Sequence, residues 1–187
     1  MEWDVQIFHF FNNAAGHSRL FDASILFFAS YLQYVLVVGF LLFLFLAKYR
    51  KQEKFRIFLV TAASIIIARL GVTEIIRFLY HRPRPFLSLH AEKLLSDGQI
   101  FYSDTTWSFP SGHSAFFFAM AGAIYLYNKK WGTGFFIAAI VMNVSRIIAG
   151  VHYPSDILVG MAVGIIVAYL IFYLIEKKKA FSRWFWI

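Results

Sequence analysis

Long stretches without a charged residue dominate this sequence of 187 residues. Residues 25–47 and 157–175 contain no Asp, Glu, Lys or Arg, and each can cross a bilayer as a helix, which takes about 20 apolar residues. Residues 57–80 form a similar stretch with three ionisable side chains, and shorter uncharged stretches cover 114–128 and 131–145. Short spans are tolerable where polar residues at their ends line a site. The pattern predicts an all-α integral membrane helical bundle with about five transmembrane helices.

Composition excludes several classes of protein. Only 15% of the residues are charged, against about 25% in an average soluble domain. The absence of cysteine excludes disulfides, a thiol nucleophile and thiolate metal sites. The net charge of +8 in so apolar a chain points to lipid headgroups or an anionic substrate as partners, and not to nucleic acid. We expect one membrane-embedded domain over residues 1–187, and the oligomeric state stays open.

The first 13 residues differ from the rest of the chain. Aromatic and aliphatic residues alternate there with polar ones, and the segment is too short and too polar to cross a bilayer. This pattern predicts an amphipathic helix at the membrane interface.

The basic residues indicate the orientation. Eleven of the 18 Lys and Arg residues follow the first, third and fifth predicted spans. Five spans place these segments on one face, which the positive-inside rule makes cytoplasmic. The opposite, extracytoplasmic face then carries the N-terminal segment, residues 81–110 and residues 150–154. Snorkelling at helix ends does not explain basic residues that lie on one side only.

Three polar clusters lie on that second face, each beside a proline. The first has Arg77 near the end of the second span, followed by His-Arg-Pro-Arg-Pro at residues 81–85. The prolines end the helix and fix an extended turn, so two or three guanidinium groups converge there. A snorkelling helix end would have the same composition.

The second cluster is Pro-Ser-Gly-His at residues 110–113, which leads straight into the third span. Proline early in a helix, with Ser and Gly beside it, leaves backbone N–H groups that an anion such as phosphate can accept. His113 in the first turn would stand beside that anion and could deliver a proton. Ser-Gly before a helix is also an ordinary cap.

The third cluster has Arg146 at the end of the fourth span and His152 four residues before Asp156. This spacing places the carboxylate about one helical turn from the imidazole. The carboxylate can accept the proton of one ring nitrogen and leave the other as an outward lone pair, as in a catalytic triad. A histidine–aspartate pair in a helical core is the alternative.

Together the clusters supply a nucleophile with its orienting group, a second histidine, backbone anion donors and at least three arginines. Guanidinium groups match phosphate oxygens bidentately and would stabilise the charge on a transferring phosphoryl group. No set of Asp, Glu or Cys residues suits a metal. The inventory predicts phosphoryl transfer through a covalent phosphohistidine, with no metal and no cofactor.

The three clusters resemble the ordered signature motifs of the type 2 phosphatidic acid phosphatase superfamily. Those motifs are K-x6-R-P, P-S-G-H and S-R-x5-H-x3-D, and they match residues 77–85, 110–113 and 145–156. One position departs from the pattern, because Arg77 stands where the family normally has Lys.

The resemblance implies a role for each matched residue. His152 would be the nucleophile, Asp156 its partner, and His113 the acid that protonates the leaving group. The remaining matched residues would form a phosphate cradle that needs no metal. These residues are Arg77, Arg84, Ser111, Gly112 and Arg146.

Within the superfamily, the short chain and the segment at residues 10–18, followed by Asp22, resemble the bacterial BcrC-type undecaprenyl-diphosphate phosphatases. This implies a membrane lipid substrate, hydrolysis of a polyprenyl diphosphate to the monophosphate, and recycling of a lipid carrier for cell wall synthesis. A phosphatidylglycerophosphate or phosphatidate phosphatase is the alternative, because the motifs read the phosphate and not the tail.

A non-catalytic scaffold or a small transporter is a further alternative, because Arg69 and Glu74 are charged residues within the second span. We expect instead that Glu74, about one turn from Arg77, orients that arginine. The sequence offers no partner for Arg69.

Overall fold

The structure, a computed structural model, describes residues 2–89, 91–94 and 107–184, with side chains up to residue 176. Part of the predicted loop at 81–110 and the side chains of the C-terminal basic cluster at 177–183 lie outside the described residues. Within the described ranges the regular structure is entirely helical. The α-helices are α1 (Glu2–Asn12), α2 (Arg19–Leu26), α3 (Leu32–Leu46), α4 (Lys51–Ile66), α5 (Thr73–Leu79), α6 (Pro85–Ser88), α7 (Gly112–Tyr127), α8 (Lys129–Ile148) and α9 (Pro154–Trp184).

Two π-helical segments interrupt the first two long helices. Phe27–Tyr31 joins α2 to α3, and Ile67–Val72 joins α4 to α5. The results are continuous helices over Arg19–Leu46 and Lys51–Leu79, long and apolar enough to cross a membrane. The other two described helices that meet both conditions cover Lys129–Ile148 and Pro154–Glu176.

The remaining predicted span is α7, which has only 16 residues. It nevertheless runs between the two ends of the bundle. At its start the Ser111 N–H donates to the carbonyl of Asp156 (3.0 Å), and at its other end the Tyr127 carbonyl accepts a bond from the Tyr49 hydroxyl (3.2 Å). It packs against α4, α8 and α9, and eleven of its residues are buried. An enclosed helix faces protein more than lipid, so it can be shorter than the bilayer core is thick.

The outward surface of the long helices is apolar. Phe45, Leu70 and Phe78 are all more exposed than buried, as are many aliphatic side chains along the same helices. An apolar surface of this extent marks contact with a membrane or with other apolar partners. The predicted all-α membrane bundle is confirmed.

Close contact between α7 and α9 brings two of the sequence clusters together. A Cβ atom at Gly160 would lie 2.6 Å from the Ser111 carbonyl oxygen, and one at Gly164 would lie 2.6 Å from that of Ala115. Only glycine allows the two backbones to approach so closely, as in other membrane helix pairs with small residues four apart. The first turn of α9, with Asp156, therefore lies against the start of α7.

The N-terminal segment forms a helix as predicted, and the face through which α1 docks includes two polar residues besides one phenylalanine. Its buried residues are Asp4, Phe8 and Asn12, which share one face at spacings of four. Trp3 and Phe10 are exposed on the outside. The outward aromatic side chains fit a helix at the membrane interface.

Candidate active site

His152 and Asp156 form the centre of the site. His152 lies two residues before the start of α9, and Asp156 lies in the first turn of that helix. The Nδ1 atom of His152 is 3.3 Å from Oδ2 of Asp156, and both side chains are buried. The Tyr153 N–H donates to the same carboxylate oxygen (2.9 Å). When Nδ1–H donates to this carboxylate, Nε2 carries the lone pair that a nucleophile needs.

The surroundings of His152 favour its neutral form. Burial lowers the pKa of His152 well below its ordinary value of 6.5, and the positive charges of Arg84 and Arg146 lower this pKa further. The neutral ring is the form with a free lone pair. In that form Nε2 of His152 has the lone pair of a nucleophile without the help of a separate base.

Backbone carbonyls hold the two arginines beside His152. Nη1 of Arg84 donates to the Val151 carbonyl, and Nη1 of Arg146 donates to the Ala29 carbonyl, each over 2.9 Å. Both arginines are buried. Two delocalised cations fixed next to a neutral imidazole form a site for an anion with several oxygens, such as phosphate.

The start of α7 supplies backbone donors. Ser111 is the N-cap, and its Oγ accepts a bond from the Ser114 N–H (3.4 Å). Because the Ser111 N–H already donates to the Asp156 carbonyl, the first-turn amides open to an anion are those of Gly112 and His113. Of the two cradle residues predicted in this turn, Gly112 keeps its N–H open to an anion, whereas the Ser111 N–H is bonded to Asp156.

Arg77 braces this turn. Its Nε and Nη2 atoms donate to the Pro110 carbonyl over 3.3 and 3.2 Å. Its Nη1 donates to Oε1 of Glu74 over 3.2 Å, which is the contact expected from the sequence. At the position of the usual lysine, the guanidinium fork therefore joins α5 to the segment that precedes α7.

His113 contacts a residue that sequence analysis missed. Its Nε2 lies 3.1 Å from Oε1 of Gln33, and the Gln33 amide nitrogen donates to the Ser30 carbonyl (2.7 Å). Because the Gln33 atom is an acceptor, Nε2 of His113 carries the hydrogen. A lone amide in an uncharged span was the only signal in the sequence. The π-helical segment Phe27–Tyr31 precedes Gln33 and also contains Ala29, so it touches both sides of the site.

The comparison with known proteins decides the family. The family model of the PAP2 superfamily matches residues 57–180. The chain belongs to this superfamily. It is 30% identical over 176 residues to the bacitracin transport permease protein BcrC of Bacillus licheniformis, a match that covers 94% of this chain and 82% of that protein. It is 27% identical to the undecaprenyl-diphosphatase BcrC of Bacillus subtilis (strain 168), over 95% of this chain and 87% of that protein.

A solved structure agrees with this assignment. The crystal structure of LpxE from Aquifex aeolicus matches with a TM-score of 0.66 and 26% identity, and the match covers 90% of this chain and 93% of that one. The resemblance to the PAP2 superfamily predicted from three short motifs is confirmed. With four long apolar helices, this PAP2 chain is a multi-pass membrane protein.

Arg82 and Asp4 extend this cluster of charged residues, and nothing in the sequence indicated their contact. Nη1 of Arg82 donates to Oδ1 of Asp156 (2.9 Å), and Nη2 donates to Oδ2 of Asp4 (2.6 Å). Its guanidinium lies 3.6 Å from the centre of the Tyr153 ring. Burial alone would lower the pKa of Arg82, but the two carboxylates outweigh it and raise this pKa. Arg82 therefore links the carboxylate behind His152 to the N-terminal helix.

Proposed function

We propose that this protein is a lipid phosphatase that hydrolyses a polyprenyl diphosphate to the monophosphate and inorganic phosphate. The observation that carries the proposal is the buried His152–Asp156 pair, next to Arg84, Arg146 and the first turn of α7. The similarity to an undecaprenyl-diphosphatase over 95% of the chain favours a polyprenyl diphosphate as substrate. The whole chain would then act as one membrane-embedded phosphatase domain in the recycling of a lipid carrier for cell wall synthesis.

The first step is the attack of His152 Nε2 on the terminal phosphorus. A P–N bond forms while the bond from phosphorus to the bridging oxygen breaks, and the lipid monophosphate leaves with the electron pair of that bond. His113 enters this step with protons on both ring nitrogens and gives its Nε2 proton to the departing oxygen, which leaves the ring neutral. Asp156 stabilises the positive charge that the phosphorylated ring acquires. Arg84 and Arg146 stabilise the charge spread over the transferring group.

The second step releases phosphate. His113, now neutral, takes a proton from a water molecule as that water attacks the phosphorus. The P–N bond breaks, its electron pair returns to Nε2 of His152, and inorganic phosphate leaves. His113 is again protonated and His152 again neutral, so both residues are ready for the next cycle.

We further propose that the site faces the extracytoplasmic side. The basic segments after the first and third spans lie together at the Tyr127 end of α7, opposite His152. The positive-inside rule places that end in the cytoplasm. Because the chain has no cysteine, single cysteines report cleanly. Asn13→Cys should react with an impermeant thiol reagent in intact cells and Gln52→Cys should not, and the reverse labelling would overturn this topology.

A phosphate-release assay in detergent tests the function. It should compare a polyprenyl diphosphate, phosphatidylglycerophosphate and phosphatidate, with the His152→Ala variant as the background. We expect the diphosphate to have the highest kcat/KM, and we expect the activity to persist in EDTA. A preference for phosphatidylglycerophosphate would replace the proposed substrate. Equal phosphate release by the His152→Ala variant would reject the proposed nucleophile.

A further inference from the structure

Arg69 is a cation of the second long helix that lies outside all three motifs. It belongs to the π-helical segment Ile67–Val72, and its Nη1 donates to Oε1 of Glu74. Its side chain is 30% exposed, whereas that of Arg77 is 9% exposed. A partly exposed arginine on a membrane helix is costly unless it serves a polar site.

Arg69 reaches the anion-binding turn of α7. A Cβ atom placed on Gly112 would lie 2.5 Å from Nε of Arg69 and 2.9 Å from its Cζ. The guanidinium thus occupies the space that any other side chain at position 112 would need. The guanidinium therefore lies against Gly112, whose N–H is one of the two first-turn amides open to an anion.

Glu74 binds two arginines whose remaining donor atoms differ in their partners. The same carboxylate oxygen accepts a bond from Nη1 of Arg69 and from Nη1 of Arg77. Arg77 directs Nε and Nη2 inward to the Pro110 carbonyl. Among the described residues, Nε and Nη2 of Arg69 have no hydrogen-bond partner. Arg69 therefore keeps one edge of its guanidinium for a ligand.

The two phosphates of a bound diphosphate would lie at different depths in the site. The terminal phosphate must reach His152, which is only 1% exposed, between the buried Arg84 and Arg146. The phosphate that bears the lipid must lie between this position and the bilayer, so it lies toward the more exposed rim. Arg69 is at that rim, next to Gly112.

We infer that Arg69 binds the lipid-linked phosphate of a diphosphate and so makes the site select diphosphates over monophosphates. This rests on the proposed function, of which it specifies the substrate class. A charged hydrogen-bond pair of this kind contributes about 10- to 100-fold in affinity. The buried Arg84 and Arg146 would bind a single phosphate equally well with or without Arg69.

Inhibition by two small anions tests the inference on the full chain in detergent. Methylenediphosphonate carries two tetrahedral phosphorus centres, and inorganic phosphate carries one. Arg69→Gln should raise the inhibition constant of methylenediphosphonate by about 10- to 100-fold and change that of phosphate by less than about twofold. Arg19→Gln, which removes an exposed arginine at the same end of the bundle, should change neither constant. Arg69→Lys should recover part of the loss.

The assay is run with whichever lipid phosphate the wild type hydrolyses fastest. Equal increases in both constants would make Arg69 a general phosphate ligand and overturn the inference, as would no change in either. Should the Gln variant not be recovered as folded protein, Arg69→Lys gives the same comparison with a smaller ratio. Failure of the wild type to hydrolyse any diphosphate would reject the proposed function separately, because the inhibitor ratio does not depend on the substrate.

Discussion

The two histidines of the site differ in the group that holds each ring. His152 contacts the carboxylate of Asp156, whereas His113 contacts the neutral amide of Gln33. A carboxylate stabilises the positive charge that a ring gains when it is phosphorylated. A neutral amide orients the His113 ring without strengthening its hold on the Nε2 proton. This difference supports the separate roles proposed for the two rings, with His152 as nucleophile and His113 as acid.

The two halves of the site also differ in their support. Asp156 forms an ion pair with Arg82, which also forms one with Asp4, and all three side chains are largely buried. Within the part of the chain that the structure describes, Gln33 donates a single hydrogen bond, to the Ser30 carbonyl of a π-helical segment. Removing one member of a buried charged chain leaves another charge without its partner, so we expect larger effects in the His152 half.

The largest effect should come from His152→Ala. Without the attacking nitrogen there is no covalent intermediate, so turnover should fall by at least about 10,000-fold. Rapid quench with labelled substrate should detect no acid-labile phosphoenzyme. Asp156→Asn should still form the intermediate, but slowly, because it favours the wrong tautomer. A phosphoenzyme that forms normally in the His152 variant would contradict the role of nucleophile proposed for His152.

His113→Ala should cost about 100- to 10,000-fold, depending on the leaving group. The loss should be largest for a phosphomonoester that expels an alkoxide and smallest for an activated aryl phosphate. A polyprenyl diphosphate, which expels a phosphate, should lie between them. Steady-state kcat/KM values for the three substrates measure this order, and equal losses would remove the acid role from His113.

Asp4→Asn tests the support behind the nucleophile. The amide keeps the shape but leaves Arg82 with one carboxylate fewer, which should lower the free energy of unfolding by about 3 kcal/mol. Without this ion pair Arg82 and Asp156 should move from their positions, which should lower kcat by about 10- to 100-fold with little change in KM. Thermal unfolding in detergent and steady-state kinetics measure both. Glu2→Gln, at an exposed position of the same helix, is the control.

Arg84→Gln should shift the pH dependence of kcat/KM. Burial and nearby arginines lower the pKa of His152, so the wild-type enzyme keeps the neutral ring as the pH falls through 6.5. Removing one positive charge raises this pKa and should move the acid limb to higher pH by about one unit. Ionisation of the substrate is the same in both enzymes and cancels in the comparison. An unchanged limb would mean that a group other than His152 controls it.

Gln33→Leu should have the smallest effect. It removes one neutral hydrogen bond from His113, worth about 2- to 10-fold in kcat. The loss should follow the same order of leaving groups as His113→Ala. Gln33→Glu should be slower than Gln33→Leu on an alkoxide leaving group, because a carboxylate would hold the proton. A faster Glu variant would contradict the difference drawn between the two histidines.

Sequence alone predicted the contacts within one helix or one turn. The helical repeat fixes the separation of Glu74 and Arg77, and the short spacing of His152 and Asp156 keeps this pair together at the start of α9. The apolar stretches fixed the membrane bundle, because backbone groups in lipid must bond within a helix. The motifs of the superfamily consist of residues that lie close together in the sequence, so they could be found without the structure.

Only the tertiary structure decided the contacts between helices. Gln33 and His113 are 80 residues apart, and Asp4 and Arg82 are 78 apart. Arg69 reaches Gly112 because π-helical turns and the packing of α7 set the rotation of each helix. Helical periodicity says which residues share a face, but the apolar faces of this chain are alike in composition. Shape and close glycine contacts then determine which polar side chains meet.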